Sequence, residues 1–142
     1  MSKHLEAVKR LFGAVRRRDE AALLDSYHPE VCIHEAPSLP YGGDFHGQTG
    51  AVQHVRAFYR TWEGLKPRAL IEETRQAMLV LEAAPNHVVV LGAQRARAPL
   101  TGRTLDIPEA FLFRMSDNRV IESWMFNQDT VAVLEFLKDA RT

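Results

Sequence analysis

The chain begins with apolar side chains spaced three and four residues apart, separated by lysines and arginines. This spacing places the apolar side chains on one helical face, so the pattern predicts an amphipathic helix over residues 3 to 17. A second, shorter helix is predicted after Asp19, whose carboxylate can cap its first turn. His28-Pro29 ends this helix, because the residue before a proline is disfavoured in helical conformation.

A short strand and an irregular loop are predicted between the second and third helices. Residues 31 to 36 form the strand, and residues 37 to 47 are dense in proline and glycine, which is typical of a loop. Apolar positions from Val52 to Trp62 mark the third helix, which we expect to end at Gly64 and Pro67.

In the second half of the chain, apolar and polar residues alternate with a period of two, which is typical of strands. Short turn segments separate four predicted strands at about residues 68 to 82, 87 to 98, 103 to 115 and 119 to 127. A final helix is predicted to begin with Asp129 as its N-cap and to present three apolar side chains to the core: Val131, Leu134 and Leu137.

Helices followed by a run of strands indicate an α+β fold, in which the N-terminal helices and the third helix cover one face of a curved antiparallel sheet. We expect residues 1 to 142 to form a single domain, since 142 residues can bury a sizeable core. A cone closed on one side by such a sheet leaves space for a cavity.

Composition excludes several functional classes. The 18 lysines and arginines balance 18 acidic residues, which argues against binding to nucleic acid or to an anionic membrane surface. Neither an apolar signal-peptide core nor a membrane-spanning stretch is evident. Cys32 is the only cysteine, so an intrachain disulfide is impossible and a reducing compartment fits. We expect a cytoplasmic protein.

Two acidic residues lie on apolar strand faces. Glu109 keeps period-two phase with Leu105, Ile107, Phe111, Phe113 and Met115, and Glu35 shares a face with Val31 and Ile33. Burying an ionised carboxylate without a partner is costly, so such groups become neutral, find donors or line a cavity. Two acids pointing into one apolar interior therefore predict a pocket.

The order of elements resembles the nuclear transport factor 2-like superfamily, which includes ketosteroid isomerases and SnoaL-like polyketide cyclases. Local matches support this resemblance: residues 27 to 31 resemble the segment leading into the family's first strand, and residues 47 to 59 resemble its helix behind the pocket. Residues 105 to 109 and 120 to 124 resemble its last two strands. The resemblance also implies a homodimer formed through the sheet.

The resemblance to ketosteroid isomerases implies catalytic roles for both glutamates. Glu35 falls where these enzymes keep the base that removes a proton beside the substrate carbonyl, and Glu109 where they keep a protonated acid that donates to the enolate oxygen. The tyrosine of their first helix corresponds to about Leu11 here, with Phe12 beside it. Tyr41, in the loop, can replace that tyrosine as a donor.

Further side chains are expected to contact a ligand: Phe12, Tyr59, Trp62, Phe111, Trp124 and Asp129. The resemblance to SnoaL-like cyclases implies that Asp129 is a catalytic acid. Its spacing to Val131 and Leu134 favours the alternative, in which Asp129 caps the last helix.

Several alternatives concern the charged residues. Each buried glutamate can instead pair with an arginine such as Arg95 or Arg97 and complete a structural network. His34 and Glu35 point to opposite strand faces and no spacing matches a zinc signature, so we predict no metal. His54 is most simply a surface or partner-facing residue.

Two functional hypotheses follow. The first is an enzyme that transfers a proton, in an isomerisation or cyclisation, on a small, largely apolar or polycyclic carbonyl compound. It needs no organic cofactor, because an acid and a base suffice. The second is a non-catalytic ligand-binding or dimerisation module of the same fold, and the absent first-helix tyrosine favours it.

Overall fold

A computed structural model describes residues 2–63, 65 and 79–140, and the backbone of residues 70–72. Its helices are α1 (Lys3–Arg17), α2 (Glu20–Ser26), α3 (Gly47–Glu63) and α4 (Thr130–Ala140). Its strands are β1 (Tyr27–Glu35), β2 (Gly43–His46), β3 (Leu70–Glu72), β4 (Leu79–Ala84), β5 (His87–Ala98), β6 (Arg103–Ser116) and β7 (Arg119–Asn127).

Side-chain caps define where the helices begin. The Asp19 carboxylate accepts a hydrogen bond from the backbone N–H of Ala22 at 3.0 Å, and the Asp129 carboxylate accepts one from Ala132 at 3.1 Å. Both bonds satisfy first-turn donors that have no partner within the helix. The predicted first helix and both predicted aspartate caps are confirmed. Gly64 and Pro67, the predicted end of the third helix, lie outside the described residues.

The region between α2 and α3 contains more strand than predicted. β1 begins at Tyr27 rather than residue 31, because the chain becomes extended at once before Pro29. Residues 43–46 of the predicted loop form β2, which pairs with β1 in antiparallel register, with His34 opposite Asp44. Gly43 permits this return with a φ of 117°, a conformation that favours glycine.

One mixed sheet carries all the described strands, in the order β2-β1-β7-β6-β5-β3, with β4 also paired to β5. The α+β prediction is confirmed, but the expectation of a wholly antiparallel sheet is wrong, because β1 runs parallel to β7. These strands are joined by most of the chain rather than by a hairpin, and such a crossover permits parallel pairing. The predicted strand at residues 68 to 82 is described only at β3 and β4, both antiparallel to β5.

The helices α1, α2 and α3 pack on the inner face of the sheet. Phe113 and Val90 are inward-facing strand residues, and α1 adds Val8 and Leu11 to the same core. The predicted face of α4 needs correction, because Val131 is 63% exposed. The other two predicted residues do face the core: Leu137 is buried and Leu134 is partly buried. The buried stripe of α4 follows helical spacing through Val133, Phe136, Leu137 and Ala140.

Among the described residues, no helix is both long enough and apolar enough to cross a lipid bilayer.

Candidate active site

A cavity of about 430 Å³ lies between the inner face of the sheet and the helices α1 and α3. This volume is in the range of small-molecule sites. Its apolar wall consists of Leu11, Phe12, Val15, Leu23, Val55, Phe58, Tyr59, Trp62, Ala93, Phe111, Phe113 and Met125. Its polar and charged lining consists of Arg16, Arg18, Tyr27, Glu35, Tyr41, His54, Gln94, Arg95, Glu109 and Asn127.

Glu109 projects into the cavity from the middle of β6, where its neighbours across the sheet are Gly92 on β5 and Asn127 on β7. Burial raises the pKa of Glu109 from its ordinary value to about 7, and the negative charge of Glu35 adds to the effect. Within the described part of the chain, no side chain forms a hydrogen bond to the Glu109 carboxyl group. Glu109 therefore keeps its proton to a higher pH than an ordinary carboxyl group does, up to about neutral pH.

Glu35 reaches the same cavity from the last position of β1. Its Oε2 atom lies 3.3 Å from Nε2 of His54, and the two side chains are only 7% and 10% exposed. Arg95, one of the two arginines named as a possible partner, instead binds Asp106, with Nε 3.4 Å from Oδ1. The two acids thus differ in their surroundings: Glu35 has an imidazole partner, whereas Glu109 is buried without a hydrogen-bonding side chain among the described residues.

His54 is therefore a site residue, and its predicted place on the surface is wrong. Its side chain is buried, and its ring packs against Phe45 with the ring centres 4.9 Å apart. Residues 54, 58 and 62 are four apart on α3, so helical periodicity could have placed His54 beside Phe58 and Trp62. A polar residue on a buried helical stripe indicates a site residue, and a search for apolar positions alone overlooks it.

Tyr41 lies in the turn between β1 and β2, with its side chain buried in the cavity wall. Its hydroxyl group accepts a hydrogen bond from the Gln94 amide at 3.4 Å, and burial raises its pKa to about 12. The hydroxyl therefore keeps a proton to donate. A Cβ atom at Gly42 would clash with the backbone oxygen of Ala36, so the residue after Tyr41 must be glycine for this tight turn to form.

Three uncharged polar residues of the lining were not predicted from the sequence: Tyr27, Gln94 and Asn127. Burial and the charge of Glu35 raise the pKa of Tyr27, which places a second tyrosine hydroxyl near this acid. Gln94 and Asn127 could have been found by strand alternation, because they share inward faces with Val90 and Met125.

Four of the six predicted ligand-contacting side chains line the cavity: Phe12, Tyr59, Trp62 and Phe111. Phe12 and Phe111 meet edge to face with their ring centres 5.3 Å apart. The hydroxyl group of Tyr59 already donates to the carbonyl of Val15 at 2.7 Å, so this residue offers its ring rather than its hydroxyl.

The other two predicted contacts are wrong in position. Trp124 pairs with Leu112 and His34 on neighbouring strands, which places it on the outer face of the sheet, where its ring stacks on His34. Asp129 caps α4 and is exposed. Neither lines the cavity.

One polar atom at the cavity wall, Oδ1 of Asn127, is buried without a hydrogen-bond partner among the described residues. This atom is an acceptor, and an unsatisfied buried group carries a desolvation cost. A bound molecule with complementary polar atoms can remove this cost.

Residues 8–123 match the SnoaL-like domain. The chain belongs to the SnoaL-like family. No curated protein matches its sequence significantly.

Solved structures show the same nuclear transport factor 2-like fold. A nuclear transport factor 2-like protein from Burkholderia xenovorans LB400 has a TM-score of 0.75 and 18% identity, covering 95% of each chain. TerC, co-crystallised with polyporic acid, has a TM-score of 0.76 and 22% identity over 96% of this chain and 99% of its own. A candidate isomerase from Rhodopseudomonas palustris has a TM-score of 0.72 and 14% identity over 94% and 96% of the two chains.

Proposed function

We propose that this SnoaL-like protein catalyses proton transfer on a small, largely apolar carbonyl compound, in an isomerisation or cyclisation. Glu35 removes a proton from the carbon beside the carbonyl group, and protonated Glu109 donates a hydrogen bond to the developing enolate oxygen. The observation that carries the proposal is Glu109, a carboxyl group with a pKa of about 7 in an apolar cavity that also contains a second acid.

The unequal surroundings of the two acids support this division of roles. His54 contacts Glu35 and can hold its carboxylate in one orientation, while the apolar wall around Glu109 favours the neutral form. Burial raises the pKa of Glu109 to about 7, so we assign the acid role to Glu109 and the base role to Glu35, which His54 contacts.

Tyr41 supports the proposal as a second donor to the enolate oxygen. Its hydroxyl group is protonated and lies in the same cavity as both glutamates, whose charges influence it. The apolar wall and the volume of about 430 Å³ suit a compact, largely apolar or polycyclic compound. A similarly folded protein co-crystallised with polyporic acid supports an organic small molecule as the ligand.

The proposal is tested by hydrogen–deuterium exchange at the carbon beside the carbonyl group in a panel of cyclic ketones, measured by NMR. The intact protein should accelerate exchange in at least one of them, and Glu35→Gln should abolish the acceleration. Glu30→Gln, on an exposed position of the same strand, is the matched control and should behave like the unmodified protein. Full activity of a folded Glu35→Gln variant would remove Glu35 from the mechanism.

We propose as a second candidate a non-catalytic module that binds a ligand and forms a homodimer through the outer face of the sheet. Outward-facing apolar side chains on neighbouring strands favour this role, each between 43% and 57% exposed: Leu79, Leu81, Leu91 and Phe126. Such contiguous apolar surfaces are typical of interfaces. Sedimentation should show a dimer that Phe126→Lys dissociates, and a clean monomer would contradict it.

A further inference from the structure

A cluster of three potential metal ligands lies on the outer face of the sheet, remote from the cavity. Cys32 and His34 project outward from β1, and Glu122 projects outward from β7, where it pairs with Cys32 in register. One ligand atom from each side chain lies within 4.8 Å of the other two. Cys32 Sγ is 3.4 Å from His34 Nε2, which is 2.8 Å from Glu122 Oε2.

The two distances from His34 Nε2 are close to those of a tetrahedral zinc site. With Zn–N and Zn–O bonds of about 2.0 to 2.1 Å and a Zn–S bond of about 2.3 Å, tetrahedral angles separate nitrogen from sulfur by roughly 3.6 Å and nitrogen from oxygen by roughly 3.3 Å. The nitrogen-to-sulfur distance of 3.4 Å fits. The carboxylate would move by a few tenths of an ångström, which a glutamate side chain accommodates by rotation.

Neighbouring residues orient the ligands before any ion is bound. Asp44 contacts Nδ1 of His34 at 2.7 Å and keeps that nitrogen protonated, while Nε2 donates to Oε2 of Glu122 at 2.8 Å and faces Cys32. A bound cation would take the place of the Nε2 proton. A carboxylate on the far nitrogen of a ligating histidine is typical of zinc sites. Arg114 donates to Oε1 of Glu122 at 3.0 Å, so the Oε2 atom is the one turned toward His34.

We propose that Cys32, His34 and Glu122 bind a divalent zinc-type cation, with Asp44 orienting the histidine and a fourth position open to solvent. The three donor types, thiolate, imidazole and carboxylate, are those that zinc takes in proteins. Sequence spacing does not reveal the site, because Glu122 is 88 residues from His34 and reaches it only through the parallel pairing of β1 and β7.

The same contacts can suggest a thiol nucleophile activated by a histidine, but the geometry opposes that role. Nε2 of His34 is 2.8 Å from Oε2 of Glu122 and 3.4 Å from Cys32 Sγ, so the carboxylate rather than the thiol is its nearer partner. A cation between the three side chains would use all of them as ligands.

The test uses the full chain, freed of metal and titrated with zinc chloride. Cys32 is the only cysteine, so its alkylation by iodoacetamide reports directly on thiol ligation. Zinc should bind at one ion per chain and slow alkylation at least 10-fold. Cobalt(II) in place of zinc should produce the absorption bands of cobalt–thiolate bonds, which Cys32→Ser should eliminate.

Variants assign the other ligands. His34→Gln and Glu122→Gln should each weaken zinc binding by more than 10-fold, and Asp44→Asn by about 10- to 100-fold as a residue that orients a ligand. His4→Gln is the matched control, because His4 lies 3.9 Å from Glu82 in a similar histidine–glutamate pair. It should leave affinity unchanged. Alkylation at the same rate with and without zinc, or no cobalt–thiolate absorption in the unmodified chain, would overturn the proposal.

Discussion

The two faces of the sheet carry nearly the same set of ionisable groups, but the pKa of a glutamate is raised on the inner face and lowered on the outer face. The inner face has Glu109 together with the Glu35–His54 pair. The outer face has His34 between Asp44 and Glu122. The pKa of Glu109 is raised to about 7 by burial, whereas the pKa of Glu122 is lowered by the hydrogen bond from His34 and by Arg114.

Access to water and to hydrogen-bond donors explains this difference. A carboxylate in an apolar wall loses its hydration without replacement, so the neutral form is favoured. On the outer face water remains near and cationic donors are within reach, so the charged form is favoured at little cost. His34 and Glu35 are adjacent in sequence, yet the alternation of the strand assigns one to each environment.

The largest expected effect is the loss of proton-transfer activity on changing Glu35, which faces the cavity, compared with Glu30, which lies on the same strand and is exposed. Glu35→Gln should reduce proton-transfer activity by about 100- to 10,000-fold, the usual contribution of a general base. Glu30→Gln, whose side chain is exposed, should change it by less than about twofold, because that carboxylate is solvated. The rate of hydrogen–deuterium exchange in the same ketone measures the activity of both variants. Equal losses of activity would contradict a specific role for the acid that faces the cavity.

Two phenylalanines on adjacent strands test the same contrast in stability. Phe113 on β6 is 1% exposed and faces inward, so Phe113→Ala should lower the free energy of unfolding by about 3 to 5 kcal/mol. Phe126 on β7 is 57% exposed, and Phe126→Ala should change it by less than about 0.5 kcal/mol. Urea denaturation at concentrations where the chain is monomeric gives both values. Similar losses would contradict the assigned faces.

Because burying the charged form of Glu109 is costly, replacing Glu109 with glutamine should stabilise the protein, and this stabilisation should depend on pH. The pKa rises from 4.5 to about 7 on folding, so the native state holds the extra proton between these values and stability falls as pH rises through them. Relative to the unmodified chain, Glu109→Gln should gain about 3 kcal/mol of stability on going from pH 4 to pH 8. Denaturation at both pH values measures this, and a pH-independent difference would contradict the raised pKa.

The smallest expected effect concerns Asp129, the acid just beyond the end of β7. As an N-cap outside the cavity, Asp129→Ala should cost about 1 kcal/mol of stability and leave proton transfer unchanged. Asp129→Asn should keep most of the stability, since asparagine caps as well as aspartate. Loss of activity in a folded Asp129→Asn variant would instead restore the catalytic role that the family resemblance implied.

Sequence periodicity predicted most of the elements, because burial on one face leaves a period of 3.6 in helices and of 2 in strands. The strands β5, β6 and β7 agree with their predicted ranges to within one residue. Errors arose where the period alone could not decide. Val131 belongs to the predicted apolar stripe of α4, yet it is 63% exposed and points away from the core.

The site residues also fall into two groups, those predicted from local sequence and those that the sequence misplaced. Glu35 and Glu109 were found because an acid among apolar neighbours in one strand is visible in the sequence. His54 and Trp124 were misplaced, since their surroundings depend on which elements pack together. The direction of pairing between β1 and β7 was likewise hidden, because parallel and antiparallel strands have similar local patterns.

The amino-acid sequence by itself determined the order of the elements, the family resemblance and the presence of two acids on apolar faces. Only the tertiary structure decided that His54 contacts Glu35, and that His34 lies between Asp44 and Glu122. The physical reason is that the periodicity of a helix or strand depends only on residues close together in the sequence. A site assembles from residues far apart in the chain, and their distances depend on long-range packing.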